Sequence, residues 1–322
     1  MVNEIRKDYL LERYSIIATN RLKRPKDFRP VKTREKKIKC PFCPGNEDMT
    51  PPTIFKINGK RGWDIRVIEN KFPALSKKAN YRKKLDGFTN CFTGVGHHEV
   101  VVESPSHSKR LDQFSVKKIK QIVDVYQQRF VVLSKDKNVR FVAIFRNHGK
   151  AAGNSLSHPH SQIIATPFVP ELIAREMNAS SKYRRRNRKC IFCDIVKKER
   201  RSKRFVYENK SFLAICPFAS IVPYETWIIT KRHVKNIAGL KEQEKTDLAD
   251  ALKAVLVKMN KQITNIPYNY YIHQAPLNSK NNYHMHLEIL PVLTVWAGFE
   301  KCTGVYINPV SPEIAAKELR SA

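Results

Sequence analysis

The chain has 322 residues, enough to bury the core of one large domain or of two domains of ordinary size. With 42% hydrophobic and 28% charged residues it has the composition of a folded globular protein, which excludes wholesale disorder. The formal net charge of +31 favours polyanionic partners such as nucleic acids, nucleotides or phosphates. The sequence contains no apolar run of about 18 residues and no signal-peptide pattern, so we expect a cytoplasmic protein without a membrane partner.

The first half of the chain alternates strand patterns with one long helix. Proline and glycine limit regular structure, so a tight turn is predicted at Cys40-Pro41-Phe42-Cys43-Pro44-Gly45-Asn46. Apolar residues at helical spacing predict a helix over residues 111–133, and β-branched residues predict a strand over residues 99–103. Further strands are predicted over residues 14–18, 66–69, 140–145 and 163–166.

The second half of the chain repeats this plan. Strands are predicted over residues 226–230, 268–272 and 283–289, and a helix over residues 240–263. A shift of 126 residues superimposes Glu99 on Glu225, His107 on His233, His158 on His284 and His160 on His286. Several matches at one offset indicate a tandem repeat. We therefore predict an α+β fold of two related halves, residues 1–175 and 176–322, with a mainly antiparallel sheet and flanking helices.

Four of the seven cysteines form two Cys-x-x-Cys pairs, each followed downstream by histidines. Because no secretion signal is present and the number of cysteines is odd, metal ligation is favoured over disulfide bonds. Zinc accepts thiolate and imidazole ligands, and four of them close a tetrahedral structural site. We predict two such sites, one formed by Cys40, Cys43, His107 and His158 and the other by Cys190, Cys193, His233 and His284. The alternative is that each cysteine pair packs in a core as reduced thiols.

The His-Pro-His segment at residues 158–160 presents two histidines in different roles. Proline restricts its own backbone and that of the preceding residue, so the segment is nearly extended and residues two apart point the same way. If His158 binds a metal, His160 is free, and an imidazole can attack an activated phosphorus. The amide of Gln162 and backbone N–H groups of the preceding glycine-rich loop could hold the phosphoryl oxygens. A purely structural histidine is the alternative.

These motifs resemble the galactose-1-phosphate uridylyltransferase branch of the histidine triad superfamily. The likeness covers most of the chain and is carried by Arg21-Leu22-Lys23-Arg24-Pro25, the turn at residues 40–45, Asn70-Lys71-Phe72-Pro73-Ala74-Leu75, residues 147–162, His273-Gln274-Ala275-Pro276 and Tyr283-His284-Met285-His286. It implies histidine-triad-like half-domains and a ping-pong reaction on a nucleoside diphosphate sugar. A sugar 1-phosphate or phosphate would be the acceptor, and the resemblance also implies a homodimer.

The resemblance further implies which residues of this chain form the site. His160 would be the nucleophile, and Gln162 would steady the nucleotidyl intermediate. His286 is the counterpart of the nucleophile in the second half, with a substrate-contacting or structural role. The implied substrate-binding residues are Arg21, Arg24, Asn70, Asn147, Gly153, Ser155, Ser161 and His286.

Two features separate this chain from the best-known transferases of that branch. Ser161 stands where they have glycine, and Cys190 and Cys193 replace a second metal site built from a glutamate and histidines. Both features resemble a branch that includes plant ADP-glucose phosphorylase. The predicted function is UDP-glucose–hexose-1-phosphate uridylyl transfer, and the alternative is an ADP-glucose or dinucleoside polyphosphate phosphorylase. The alternative from another class is a zinc-stabilised nucleic-acid-binding protein, but the basic runs lack the aromatic platforms or recognition motif that such proteins usually add.

Overall fold

One ten-stranded sheet organises the protein in the computed structural model, which describes residues 3–23, 39–60, 62–77, 82–279 and 283–322. In chain order, the elements up to the middle of the chain are β1 (Glu4–Lys7), β2 (Tyr14–Ile17), β3 (Thr53–Gly59), β4 (Gly62–Glu69), β5 (Lys83–Asp86), β6 (Thr89–Phe92), β7 (His97–Val102), α1 (Val116–Leu133), β8 (Phe141–His148), β9 (His160–Thr166) and α2 (Glu171–Asn187). The remaining elements are α3 (Ile191–Glu199), β10 (Phe205–Glu208), β11 (Phe212–Ile215), β12 (Thr226–Thr230), α4 (Glu242–Gln262), β13 (Tyr268–His273), β14 (His286–Pro291), α5 (Gly298–Thr303), β15 (Tyr306–Asn308) and α6 (Pro312–Ser321).

The large sheet is built from two matching sets of strands. Its order is β10-β11-β12-β14-β13-β8-β9-β7-β4-β3, and every neighbouring pair is antiparallel. At the centre β8 pairs with β13, so that Arg146 lies opposite Tyr270 and Ile144 lies opposite Ile272. The 126-residue shift maps the first of these pairs onto the second, which relates the two halves by an approximate two-fold axis. The predicted α+β fold of tandem halves with a mainly antiparallel sheet is confirmed.

Helices α1 and α4 cover one face of this sheet. Their apolar residues recur at helical spacing, and Ile119 of α1 and Leu252 of α4 are buried in one hydrophobic core with the strands. Side chains alternate along a strand, so Ile163 of β9 points into this core whereas His160 and Gln162 point to the opposite face. The predicted site therefore lies on the sheet face turned away from α1 and α4.

A buried ion pair joins the strands on either side of β9. The guanidinium of Arg146 in β8 donates to the Glu103 carboxylate just after β7 at 3.0 Å, and it also donates to the Tyr268 hydroxyl at 3.1 Å. Both charged side chains are almost completely removed from water, a state that is stable only when the charges are paired. The ion pair thus holds β7 and β8 in place around the strand that carries His160.

Some element boundaries differ from the predicted ones. The predicted helix over residues 111–133 is a 3-10 turn followed by α1, because the Ser115 hydroxyl accepts the Lys118 N–H and caps the α-helix. β9 begins at His160 rather than at residue 163, since β7 pairs with it from His160 and β8 pairs with it from Gln162. β14 begins at His286 rather than at residue 283.

The boundary expected between residues 175 and 176 falls within α2, which connects the two halves of the chain.

None of the helices in the described ranges has the length and hydrophobicity that crossing a lipid bilayer requires.

Candidate active site

The turn at residues 40–46, the loop after β7 and the segment before β9 bring together the first predicted set of metal ligands, which we call the N-terminal ligand cluster. Cys40, Cys43, His107 and His158 each offer one ligand atom, and these atoms all lie within 4.8 Å of one another. The Nδ1 atom of His158 is 3.8 Å from Cys40 Sγ and 3.7 Å from Cys43 Sγ. His107 Nδ1 is 3.4 Å from Cys43 Sγ.

The tautomer of His158 fits a metal site. Its Nε2 lies 2.7 Å from the carbonyl oxygen of Ser104, and a carbonyl can only accept, so Nε2 carries the proton. The lone pair of Nδ1 is therefore directed at the two sulfur atoms. A second hydrogen bond that fixes the ring in this way is typical of metal-bound histidines.

The second predicted set, the C-terminal ligand cluster, has the same construction. Cys190, Cys193, His233 and His284 also place their ligand atoms within 4.8 Å of one another. Here the cysteines begin a helix, because Cys190 directly precedes α3 and Cys193 lies in its first turn. His284 Nδ1 is 3.6 Å from each sulfur, and its Nε2 donates to the Thr230 carbonyl at 2.8 Å. Thr230 is related to Ser104 by the same 126-residue shift.

His160 is the first residue of β9 and is buried on the site face of the sheet, with 8% of its surface exposed. Its Nδ1–H donates to the carbonyl of His158 at 2.8 Å, which leaves the lone pair on Nε2. Burial lowers the pKa of His160 below its ordinary value, which keeps the imidazole neutral and nucleophilic. The ring of Phe42, which lies between the two cysteines of the N-terminal ligand cluster, packs edge-on against His160 at 5.3 Å.

Uncharged amides occupy the strand face beside His160. Gln162 points to the same side as His160, and its Oε1 lies 2.7 Å from Nε2 of His98 in β7. Asn147 of β8 accepts a hydrogen bond from Asn269 of β13 at 2.8 Å. Neutral hydrogen-bonding groups such as these can bind phosphoryl oxygens without adding negative charge beside them.

The other residues predicted to bind substrate lie in several places. Gly153 follows a short 3-10 helix with a left-handed backbone (φ +80°), and Ser155 is exposed in the loop beyond it. Ser161 is 1% exposed and lies on the helix side of the sheet near Tyr126, away from His160. Arg21 is exposed in a 3-10 helix (Thr19–Lys23). Arg24 lies outside the described residues.

A third group, the acidic-histidine cluster, lies at the second-half position that matches the surroundings of His160. Glu176, His273, His286 and Glu288 are all buried, with ligand atoms within 4.8 Å of one another. His286 Nε2 is 3.2 Å from Glu288, and His273 Nδ1 is 3.1 Å from Glu176. These donor types also suit a divalent metal ion. The Glu288 carboxylate therefore contacts Nε2 of His286, whereas the corresponding Nε2 of His160 keeps its lone pair.

Three members of this cluster, Glu176, His273 and Glu288, are not among the site residues predicted from the sequence. The 126-residue shift relates Glu288 to Gln162 and His273 to Asn147, so the repeat contained the signal for both. Glu176 lies on α2 and has no such signal. His98 was also missed.

The charges of the acidic-histidine cluster predict a pH dependence of stability. Burial alone would lower the pKa of His273, but the carboxylates of Glu176 and Glu288 raise the pKa to about 9. The nearby Arg13 opposes this effect. Burial raises the pKa of Glu288, but His273, His286 and Arg13 lower it to about 2. Because the folded pKa of His273 lies above its ordinary value of 6.5, its stabilising effect is complete below pH 6.5 and is lost as the pH rises through 9.

We therefore expect urea-unfolding measurements to show that the wild-type protein loses about 1–3 kcal/mol from this cluster between pH 6.5 and 9.5. The variant His273→Gln should show a flatter dependence over the same range, because it carries no titrating imidazole. Equal slopes in the two proteins, or a wild-type stability that rises with pH relative to the variant, would contradict the ion-pair account.

Comparison with known proteins gives matches along the whole chain. The family model described as galactose-1-phosphate uridyl transferase, N-terminal domain, matches residues 1–170, and the C-terminal domain model matches residues 176–294. An ADP-glucose phosphorylase from Arabidopsis thaliana is 37% identical over 98% of this chain and 92% of its own. A galactose-1-phosphate uridylyltransferase from Thermotoga maritima is 33% identical over 98% of both chains.

Solved structures of the same two kinds of protein superimpose on this chain over nearly its full length. The crystal structure of an ADP-glucose phosphorylase from Arabidopsis thaliana with bound ADP-glucose superimposes with a TM-score of 0.86 and 33% identity, over 100% of this chain and 99% of that one. A uridylyltransferase structure superimposes with a TM-score of 0.78 and 29% identity, over 99% of this chain and 98% of that one.

Proposed function

The chain belongs to the galactose-1-phosphate uridyl transferase family and is a nucleotidyltransferase, and we propose that it acts through a covalent nucleotidyl intermediate on His160. The observation that supports this step is the hydrogen bond from His160 Nδ1–H to the His158 carbonyl. It leaves a lone pair on Nε2 of a neutral, buried imidazole. Such a nitrogen is suited to attack phosphorus and to leave again in the second half of the reaction.

In the proposed first half-reaction, a bond forms between His160 Nε2 and the α-phosphorus of a nucleoside diphosphate sugar. The bond between that phosphorus and the bridging oxygen breaks, and the sugar 1-phosphate leaves with the electron pair. In the second half-reaction, an oxygen of the acceptor phosphate attacks the same phosphorus and His160 departs. Gln162, Asn70 and Asn147 supply neutral amides that hold the phosphoryl oxygens while charge develops.

The relatives support two choices of base and acceptor. UDP-glucose–hexose-1-phosphate uridylyl transfer is the function predicted from the sequence, and uridylyltransferases at 33% and 31% identity support it. The ADP-glucose phosphorylase from Arabidopsis thaliana, at 37% identity, supports ADP-glucose as donor and phosphate as acceptor. The cysteine pair of the C-terminal ligand cluster points to the same branch. ADP-glucose is therefore the first donor to test, with UDP-glucose beside it.

We propose structural zinc at both ligand clusters. Two sulfurs and two imidazole nitrogens converge in each, which is the donor set and number of a closed tetrahedral zinc site. Zinc supplies no reacting position there. Its role is to tie the turn at residues 40–46 to His158, which places Phe42 against His160. We also propose a homodimer and a cytoplasmic location.

Intact-protein mass measurement tests the proposed function. The wild-type protein is incubated with ADP-glucose and, separately, with UDP-glucose, without an acceptor. We expect the mass to rise by one adenylyl or one uridylyl group, with release of one equivalent of glucose 1-phosphate. Added phosphate or galactose 1-phosphate should remove the group and identify the acceptor. If neither donor gives an adduct and the protein instead binds RNA with a steep salt dependence, the nucleic-acid-binding alternative holds.

A further inference from the structure

His98 connects a loop of the backbone to the side chain of Gln162. It lies on β7, next to β9, and it contacts the segment that follows β4. The backbone N–H of Ala74 donates to His98 Nδ1 at 3.1 Å, and the backbone N–H of Asn70 donates to the His98 carbonyl at 2.8 Å. On the other side of the ring, Nε2 lies 2.7 Å from Oε1 of Gln162.

These contacts fix the tautomer of His98. A backbone N–H can only donate, so Nδ1 must keep its lone pair and the neutral ring carries its proton on Nε2. The Nε2–H group then donates to Gln162 and selects the oxygen end of that amide. The NH₂ group of Gln162 is then turned away from His98, and it has no acceptor among the residues that the structure describes. The orientation of the Gln162 amide thus depends on the hydrogen bond from the Ala74 backbone N–H to His98, which lies outside β9.

Asn70 is held in the same arrangement. Its Oδ1 accepts the Phe72 backbone N–H at 2.9 Å, which places its Nδ2 3.0 Å from His98 Nε2. A protonated Nε2 cannot accept a hydrogen bond, so it pairs with Gln162 and does not take up the nearby NH₂ group of Asn70. Two amide groups that flank His98 are therefore left with donors for an anionic oxygen.

We propose that His98 is a positioning residue for nucleotidyl transfer, which orients Gln162 so that its NH₂ group faces the phosphoryl group on His160. This inference rests on the proposed function. Without the Nε2–H donor, the Gln162 amide can turn over and present its oxygen to the phosphoryl oxygens. A carbonyl oxygen would repel the charge that develops there, whereas an N–H group stabilises it.

Two substitutions at His98 test the proposal by steady-state kinetics with ADP-glucose and UDP-glucose. His98→Leu removes the donor, and we expect kcat to fall about 10-fold to 100-fold, with a smaller change in KM. His98→Gln retains an amide N–H at a reach similar to that of Nε2, and we expect it to restore most of the rate. This second variant separates the loss of the donor from a general loss of packing.

A double-mutant cycle shows whether His98 acts through Gln162. In the Gln162→Ala background, His98→Leu should change kcat by less than about 2-fold, because the amide that His98 orients is gone and Asn70 is oriented by the Phe72 backbone N–H. The matched control is His97→Leu, since His97 pairs with Asp136 at 2.8 Å rather than with Gln162, and its rate should stay near that of the wild type.

The outcomes separate this proposal from the proposed function. Adduct formation by the wild-type protein, combined with a slow His98→Leu variant and a non-additive double variant, supports both. Adduct formation with an unchanged rate in His98→Leu, or with fully additive losses, overturns the role of His98 alone. Absence of an adduct in the wild-type protein overturns both.

Discussion

Replacement of His160 by asparagine is expected to reduce nucleotidyl transfer by about 10⁴-fold or more, because covalent catalysis loses its nucleophile. Asparagine preserves a polar side chain of similar reach at Nδ1, so the contact to the His158 carbonyl can be kept. The measurement is the exchange of labelled glucose 1-phosphate into the nucleotide sugar, together with the intact mass of the protein after incubation with donor. The variant should show neither exchange nor adduct.

His286→Asn is the matched control, because His286 occupies the same place in the second half and donates to the His284 carbonyl in the same way. Its Nε2 faces Glu288, whose carboxylate would oppose a phosphoryl group. We expect this variant to retain the adduct. If His160→Asn forms the adduct while keeping the wild-type melting temperature, or if His286→Asn alone loses it, the nucleophile has been assigned to the wrong half.

The second large effect is expected from loss of the N-terminal ligand cluster. Cys43 Sγ lies close to both histidines, so Cys43→Ser removes a ligand that contacts every imidazole of the cluster. Structural zinc contributes about 10–16 kcal/mol in small zinc domains, and we expect the melting temperature to fall by about 10 °C or more. Metal analysis should show one zinc per chain instead of two.

Loss of this cluster should also reduce activity, because Phe42 would no longer be held against His160. Cys91→Ser is the control, since Cys91 is an exposed thiol in β6 with no part in either ligand cluster. It should keep two zinc ions and the wild-type melting temperature. A Cys43→Ser protein with unchanged stability and metal content would support the alternative of a reduced thiol pair.

Much of this architecture could be predicted from local pattern and spacing. The 126-residue offset indicated the tandem halves, and helical periodicity indicated α1 and α4. The two ligand clusters were proposed because cysteine and histidine recur at matched positions, and the structure brings all eight side chains into two groups. Such features are visible in a sequence because each depends on residue type and on distance along the chain.

Other features depend on strand register and could not be read in that way. The alternation of a strand indicates which residues share a face, but only the pairing of β9 with β7 and β8 shows which neighbours flank His160. The place of Ser161 in the motif predicts a substrate-binding residue, whereas its side chain lies on the opposite face of the sheet, near Tyr126. His98 has no histidine counterpart in the repeat, since the shift relates it to Tyr224.

The symmetric pairing of β8 with β13 also has a consequence for how this protein can be divided. Arg146 lies opposite Tyr270, and the residues related to them by the 126-residue shift, Ile272 and Ile144, also lie opposite each other. The contact between β8 and β13 therefore has the geometry of a self-complementary subunit interface within a single polypeptide. If the two halves were expressed as separate fragments, each would expose one of these strands as an open edge. Co-expressed fragments could restore the sheet by pairing with each other, whereas a single fragment would be driven to pair with its own copies.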